Sequence, residues 1–310
     1  MKKERSTRKV GSSWKTQVGY YLMFAPPALC MILFNYVPML GIYMAFVDYK
    51  PAKGIFGSKF VGITYFKQFL TSVDFQRVFR NTIFYNTGKI LVVSLFMGML
   101  FAILLYEIKS RMANKIFQTC MLLPAFISWT VVSAAFLIVL HPDNGLLNGF
   151  LELLGMKPIS WYMNASYWPA IIIFAMIYKD AGMASIYFYS ALLSIDTELF
   201  DAANIDGANR LKQVWYISLP AMKMVFCITL TTALGNILSG SVSPYFELTF
   251  NNGTLYDTTL VLGTYLYNGI GGGRFSYMTA VGLVQSLVGL IFVLGSNTII
   301  KRIDPDSAMF

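Results

Sequence analysis

The sequence predicts an all-α membrane protein with six transmembrane helices, and three observations carry that prediction. The first is composition: of 310 residues, 56% are hydrophobic, 16% aromatic and only 13% charged, with a mean hydropathy of +0.58. A soluble domain carries about a quarter charged and roughly 45–50% apolar residues, and a soluble fold of this make-up would expose more apolar surface than water tolerates. The second is the presence of six apolar stretches, each near the roughly 20 residues that span a ~30 Å hydrocarbon core as helix. The third is where the positive charges fall.

The first stretch, about 18–46, follows six basic residues, Lys2, Lys3, Arg5, Arg8, Lys9 and Lys15. It is too long for a signal-peptide core and no small-residue cleavage site follows, so it reads as a retained helix. Pro26, Pro27 and Pro38 predict a kink or break. Segment 47–81 is the longest connection, and its second half, Tyr65–Arg80, reads as an amphipathic helix lying on the outer surface. The second span, about 82–106, holds Lys89, whose stem is long enough to snorkel to the outer headgroups. The third, about 116–140, ends at His141 beside Pro142, a turn residue by its setting. The fourth, about 168–193, carries Lys179 and Asp180 near its middle. The fifth and sixth run about 224–243 and 277–300. Cys30, Cys120 and Cys227 all lie in apolar stretches and read as small core hydrophobes rather than a disulfide or metal set.

Six spans place both termini on one side. The segments on that side hold fourteen Lys and Arg against eight in the others, which makes it the cytoplasm under the positive-inside rule. Segment 47–81, with six of the eight, is the exception. The net charge of +9 forms no basic stripe with interleaved aromatics, so nucleic acid is excluded as a partner and lipid is the expected surroundings. One histidine gives no metal site, and the Gly271–Gly273 run before Arg274 lacks the Gly-Lys-Ser/Thr ending of a phosphate loop, so it reads as a flexible outer turn. An intramembrane enzyme would need a constellation of acids, bases or metal ligands within the spans, and the single histidine and the loop-bound acids do not supply one. An ion-coupled carrier favours repeats and midplane carboxylates; no repeat is visible and Asp180 is the single acid. The chain reads as one transmembrane domain, 1–310.

The connection between the fourth and fifth spans, 196–220, is the most informative. Glu198, Asp201 and Asp206 with Ala202 and Ala203 make a narrow acidic face on one short helix. Gly207 joins it to a second, where Val214, Trp215 and Ile217 offer an apolar face, and Pro220 suits the first turn of the next membrane helix. Two readings fit: a rigid knob for a cytoplasmic partner, or a solvated linker. Lys179 and Asp180, about 100° apart on one helix, cannot share a face. Either they meet a water-filled cavity on a substrate path or they form ion pairs across helices, since charges at this depth cost of order 2.5–3.5 kcal/mol on insertion scales. Asn236, Ser239, Ser241, Ser243, Tyr245, Phe246 and Glu247 supply the aromatic faces and polar groups that sugars require. The serines suit close helix packing equally.

Segment 196–220 resembles the "EAA" loop of permease subunits of binding-protein-dependent ABC importers: Glu-Ala-Ala, three residues, Gly, nine residues, Ile, one residue, Leu-Pro. Asp201-Ala202-Ala203, Gly207, Ile217, Leu219 and Pro220 match every spacing, with Asp201 for Glu the one departure. Further stretches are similar to the polysaccharide and oligosaccharide permeases of Gram-positive bacteria: Tyr36–Ile42, Leu122–Trp129, Pro142–Gly145, Thr264–Tyr267 and Ala280–Ser286. The resembled proteins keep an aromatic-Lys-acid run where Tyr178-Lys179-Asp180 stands. They carry a Phe-acid-Gln run where Val242-Ser243-Pro244 stands here, a departure that bears on substrate identity.

The resemblance implies a type I ABC importer permease fold in the cell membrane, pairing with a second homologous permease and two cytoplasmic ATPases. An extracellular solute-binding lipoprotein would deliver a saccharide to a midplane cavity, with glycerol phosphate or another polyol as the alternative cargo. Transport would proceed by alternating access. In such proteins the loop docks into a cleft of the ATPase: Asp201 would face a basic residue there, Gly207 form the turn, and Ile217 and Leu219 anchor the second helix. With no nucleotide motif in this chain, ATP and magnesium are expected on the partner ATPase.

Overall fold

The computed structural model describes residues 14–238 and 242–303. The basic residues from Lys2 to Lys9, and Ser239 and Ser241, lie outside them. The first helix, α1, spans Trp14–Met31 and continues through a π turn, Ile32–Tyr36, into a tighter 3₁₀ stretch, Val37–Phe46. Pro38 sits at the start of that last stretch, so the missing N–H alters the winding without breaking the helix. Only its last part packs on the bundle, with Ala45 buried; Tyr20 to Phe24 point outward.

One departure from an all-helical chain follows. Strands β1, Val47–Lys50, and β2, Gly54–Phe60, pair antiparallel with Val47 opposite Phe60. The hairpin is fixed to the last membrane helix by Tyr49 N–H donating to Ser276 Oγ at 2.9 Å. The amphipathic helix expected over Tyr65–Arg80 is two elements instead. Helix α2 is Thr64–Leu70, and α3, Val73–Gly88, begins where Ser72 accepts from Phe75 N–H as its N-cap. Arg77 and Arg80 therefore belong to the foot of the second span. That helix runs on through a π stretch, Lys89–Met97, into α4, Gly98–Glu107, giving 35 unbroken residues, Val73–Glu107.

The third apolar stretch is broken near its middle. Helix α5, Arg111–Phe126, and α6, Trp129–Leu140, meet at 97° around Ile127 and Ser128. Pro124 lies one turn before the break, and Ser128 starts the new helix by accepting from Val131 N–H. His141 Nδ1 then accepts from the backbone N–H groups of Asp143 and Asn144, closing the turn into α7, Leu146–Leu153. Helix α8, Trp168–Leu193, is the centre of the bundle, with ten buried residues. Next come α9, Thr197–Ile205, α10, Arg210–Gln213, and α11, Leu219–Ala221, joined to α10 by a π turn. The stretch Arg210–Ala221 bends by 55° into α12, Lys223–Gly235. The fifth span thus ends at Gly235, short of the expected 243. Helices α13, Val242–Thr249, α14, Tyr256–Thr259, and α15, Leu262–Gly271, lead to α16, Phe275–Ile303. Gly273, at φ +76°, makes the turn before α16. Among the described residues four helices are long and apolar enough to cross a membrane as single rods, and counting each bent pair as one span gives six.

Lipid tails are as apolar as leucine, so close backbone approach matters more here than hydrophobic burial. Cys30 and Cys120 accordingly sit on the outside of the bundle rather than in a core. Gly98 lets α4 settle onto Ala184 and Phe188 of α8. Gly182 allows a closer approach still: a Cβ there would lie 1.9 Å from the Met121 carbonyl oxygen of α5. Backbone cannot move aside as a side-chain tip can. Gly182→Val is therefore expected to destabilise the purified protein by at least the roughly 1–3 kcal/mol of overpacking. A melting temperature equal to that of the parent would contradict this packing.

Candidate functional site

The turn between α9 and α10 is built by caps. Asp196 accepts from Glu198 N–H to start α9. At its end Ala208 N–H reaches back to the Ala203 carbonyl and Gly207 N–H to that of Asn204, the paired closure that needs a left-handed residue. Gly207 supplies it at φ +74°. Asn209 then caps α10 by accepting from Lys212 N–H.

Gln213, 2% exposed, locks the two helices together. Its amide nitrogen donates to Asn204 Oδ1 at 2.7 Å and to the Ala208 carbonyl at 3.2 Å. Arg210 pairs with Glu107 at 3.7 Å, and Phe200 lies 5.7 Å from Tyr106, both at the end of α4. The segment is a rigid projection held against the bundle.

Asp201, Ala202, Asp206, Gly207 and Pro220 are exposed, while Ala203, Ile217 and Leu219 are half-buried. The apolar face assigned to Val214, Trp215 and Ile217 is divided. Val214 and Ile217 turn inward, and Trp215 stays 66% exposed beside Tyr216 and Leu211. Ile205, 87% exposed, adds an apolar tip across the turn. The spacing of Leu211 and Trp215, four residues apart, was the available signal for this stripe.

Within the membrane the expected path residues separate. Lys179 is buried, 7% exposed. Its Nζ donates to the carbonyls of Pro124, Ala125 and Ile127, at 3.3 Å and 3.0 Å for the first two, so all three ammonium protons are used on the broken end of α5. Asp180 turns the other way and accepts from Lys89 at 3.0 Å. Lys89 thus pairs across helices rather than snorkelling, because a carboxylate lies within its reach at mid-membrane. Tyr245 is 3% exposed and packs on Tyr85 with ring centroids 5.1 Å apart, inside the core.

Asn236 does face open space. It lines a recess of about 500 Å³ with Thr229 and Thr232 of α12 and Tyr187 and Ser190 of α8. Positions 229, 232 and 236 recur at helical spacing, a polar stripe the sequence reading passed over. Ser243 and Glu247 are half-buried on α13. Phe246 meets Tyr267 edge-on at 5.1 Å.

The family model for the inner membrane component of binding-protein-dependent transport systems matches residues 90–308. The chain belongs to that family. It is therefore a multi-pass membrane permease component of an ABC importer.

Relatives in this permease family span nearly the whole chain. The polygalacturonan/rhamnogalacturonan transport system permease protein YteP of Bacillus subtilis is 35% identical over 91% of this chain and 87% of its own. Protein LplB of the same organism is 34% identical over 96% and 94%. Among solved structures, a bacterial ABC transporter involved in import of the acidic polysaccharide alginate superposes with a TM-score of 0.85 at 30% identity. That match covers 94% of this chain and 97% of the other. The same kind of transporter in complex with an alginate pentasaccharide-bound periplasmic protein gives 0.84 at 30% identity, over 93% and 96%.

Proposed function

We propose that this chain forms one half of the translocation path of an oligosaccharide importer and transmits ATP-driven motion through segment 196–220. The observation that carries the coupling role is the rigid two-helix projection hinged at Gly207, with Ile205, Leu211, Trp215 and Tyr216 exposed at its surface. An aromatic anchor presented by a locked backbone is what a protein groove recognises. Asp201, on the first helix of the projection, and Asp206, which caps its end, add charges for basic partners.

The cytoplasm holds this projection and both chain ends. Two ATPase subunits, which carry ATP and magnesium, dock there, and a second permease of the same fold completes the path. The polar recess at Asn236 faces that second permease, and a solute-binding protein delivers the saccharide at the opposite end. The cargo assignment rests on relatives whose names specify polygalacturonan, alginate and arabinooligosaccharides.

The test is retention of the ATPase. Purified with its native partners, the wild-type chain should co-elute with a second permease and an ATPase, and sugar-loaded binding protein should stimulate hydrolysis. Trp215→Asp should weaken ATPase retention at least about 30-fold, the effect of losing an interface anchor worth about 2 kcal/mol. A chain that elutes alone, or a Trp215→Asp complex of unchanged affinity, would overturn the coupling role.

A further inference from the structure

The helix that ends at Glu107, against the coupling segment, begins at Val73. At 1.5 Å per residue its 35 residues place Val73 roughly 50 Å away, at the other end of the bundle. A recess of about 600 Å³ opens there between the foot of α3, the turn after α13, and α15 with the start of α16. That volume is within the range of small-molecule sites, about 300–1,000 Å³. None of the expected path residues except Phe246 lines it.

Its wall is prearranged. Tyr256 OH donates to Asn251 Oδ1 at 2.8 Å, and Asn268 Nδ2 lies 3.0 Å from both Asn251 Oδ1 and the Tyr256 oxygen. Asn251 Nδ2 also donates to Asn268 Oδ1 at 3.1 Å, so the three side chains fix one another and leave one Asn251 proton and one lone pair each on Asn268 and Tyr256 for a ligand. Asn251 reaches this position through an unusual backbone, since Phe250 and Asn251 both adopt positive φ, 52° and 51°. A bulky residue in that region costs of order 1–3 kcal/mol, and such strain gathers at functional sites.

Phe246 and Tyr267 present an edge-on aromatic pair beside this triad. Burial, then a hydrogen bond to Tyr277, pushes the Tyr265 phenol upward, and Asp74 adds to this against an opposing Arg274, so the phenol remains a neutral donor at neutral pH. The two cations differ. Arg77 lies 3.5 Å from Asp257, whereas Arg274, stacked 4.4 Å over Tyr277, has no carboxylate within 4 Å among the described residues.

We infer that this recess is a saccharide site for a hexuronic acid unit. The ring lies on Phe246 and Tyr267, the hydroxyls meet Asn251, Asn268 and Tyr256, and the carboxylate takes the Arg274 fork. A planar guanidinium held by stacking matches a carboxylate through two parallel N–H bonds, which a neutral sugar cannot accept. The rival occupant, a loop of the binding protein, lacks this dependence on one sugar carboxylate. The inference rests on the oligosaccharide reading above and narrows its substrate class.

The probe is tri-galacturonate, compared with its methyl ester, which keeps the shape and loses the charge. Binding to the full chain in nanodiscs is read by saturation-transfer NMR, and hydrolysis by the co-purified complex is read with the same sugar on its binding protein. Arg274→Gln should weaken tri-galacturonate binding about tenfold or more, Arg274→Lys should weaken it less, and the ester should bind weakly to all three proteins. Arg274 is exposed, so melting temperatures should match and separate binding from folding.

Equal affinity for acid and ester, or no change in Arg274→Gln, would overturn the site. So would an Arg274→Gln variant that loses sugar-free binding protein but keeps the sugar, which would assign the recess to docking. If instead the wild-type complex hydrolyses ATP with no response to any saccharide, the oligosaccharide reading itself fails.

Discussion

Gly207→Pro is expected to abolish transport-coupled ATP hydrolysis while leaving the chain in the membrane. Gly207 sits at φ +74°, and proline is held near −65°. Its N–H donates to the Asn204 carbonyl, a bond proline cannot make. Both effects act on the closure that orients α9 against α10, so Ile205 and Trp215 would no longer share one rigid surface. Beyond its chain neighbours, nothing stands within 4 Å of where a Gly207 Cβ would be. Gly207→Ala separates backbone from bulk. It keeps the N–H and meets nothing beyond its neighbours in the chain, so it should cost only the roughly 1–2 kcal/mol of a left-handed L residue and retain most activity. Hydrolysis by the reconstituted complex, measured with and without sugar-loaded binding protein, reads the difference. Stimulation in Gly207→Pro equal to wild type would mean that the segment does not transmit the motion.

How far the sequence could be read depended on whether a feature is local. Trp168–Leu193 emerges at its hydropathy bounds because length and apolar content alone define a membrane rod. Gly207 was legible because only a left-handed position between two capped helices requires it. The break at Ile127 was not, since Pro124 and Ser128 are both tolerated in unbroken spans and nothing nearby says which outcome prevails. What decides it is Lys179, 52 residues further on. Lys89 and Asp180 show the same limit: each was visible as a charge in lipid, but their pairing depends on how α8 lies against the second span. The Tyr65–Arg80 helix was misjudged because one N-cap, Ser72, outweighed a continuous amphipathic pattern. The polar recess at Asn236 was half seen, since its other wall, Tyr187 and Ser190, comes from a helix read only for its charges.

Lys179→Met should insert into the membrane more readily than the parent and yet melt at lower temperature. A lysine near mid-span costs about 2.5–3.5 kcal/mol on insertion scales, and methionine removes that cost. Once the helix is inserted the balance reverses. In the bundle Lys179 is 7% exposed and its ammonium serves three carbonyls at the end of α5. The Pro124 carbonyl also accepts from Ile127 N–H, so two carbonyls, those of Ala125 and Ile127, would lose their donor. Each buried acceptor left unmatched costs about 1–3 kcal/mol, so the folded bundle should lose roughly 2–6 kcal/mol. The bend between α5 and α6 would then lose the cationic tie that Lys179 makes to it from α8. Thermal unfolding of the purified chain checks the stability, and a glycosylation-reporter insertion assay checks the membrane step. Reduced insertion, or an unchanged melting temperature, would show that Lys179 is not what satisfies the broken span.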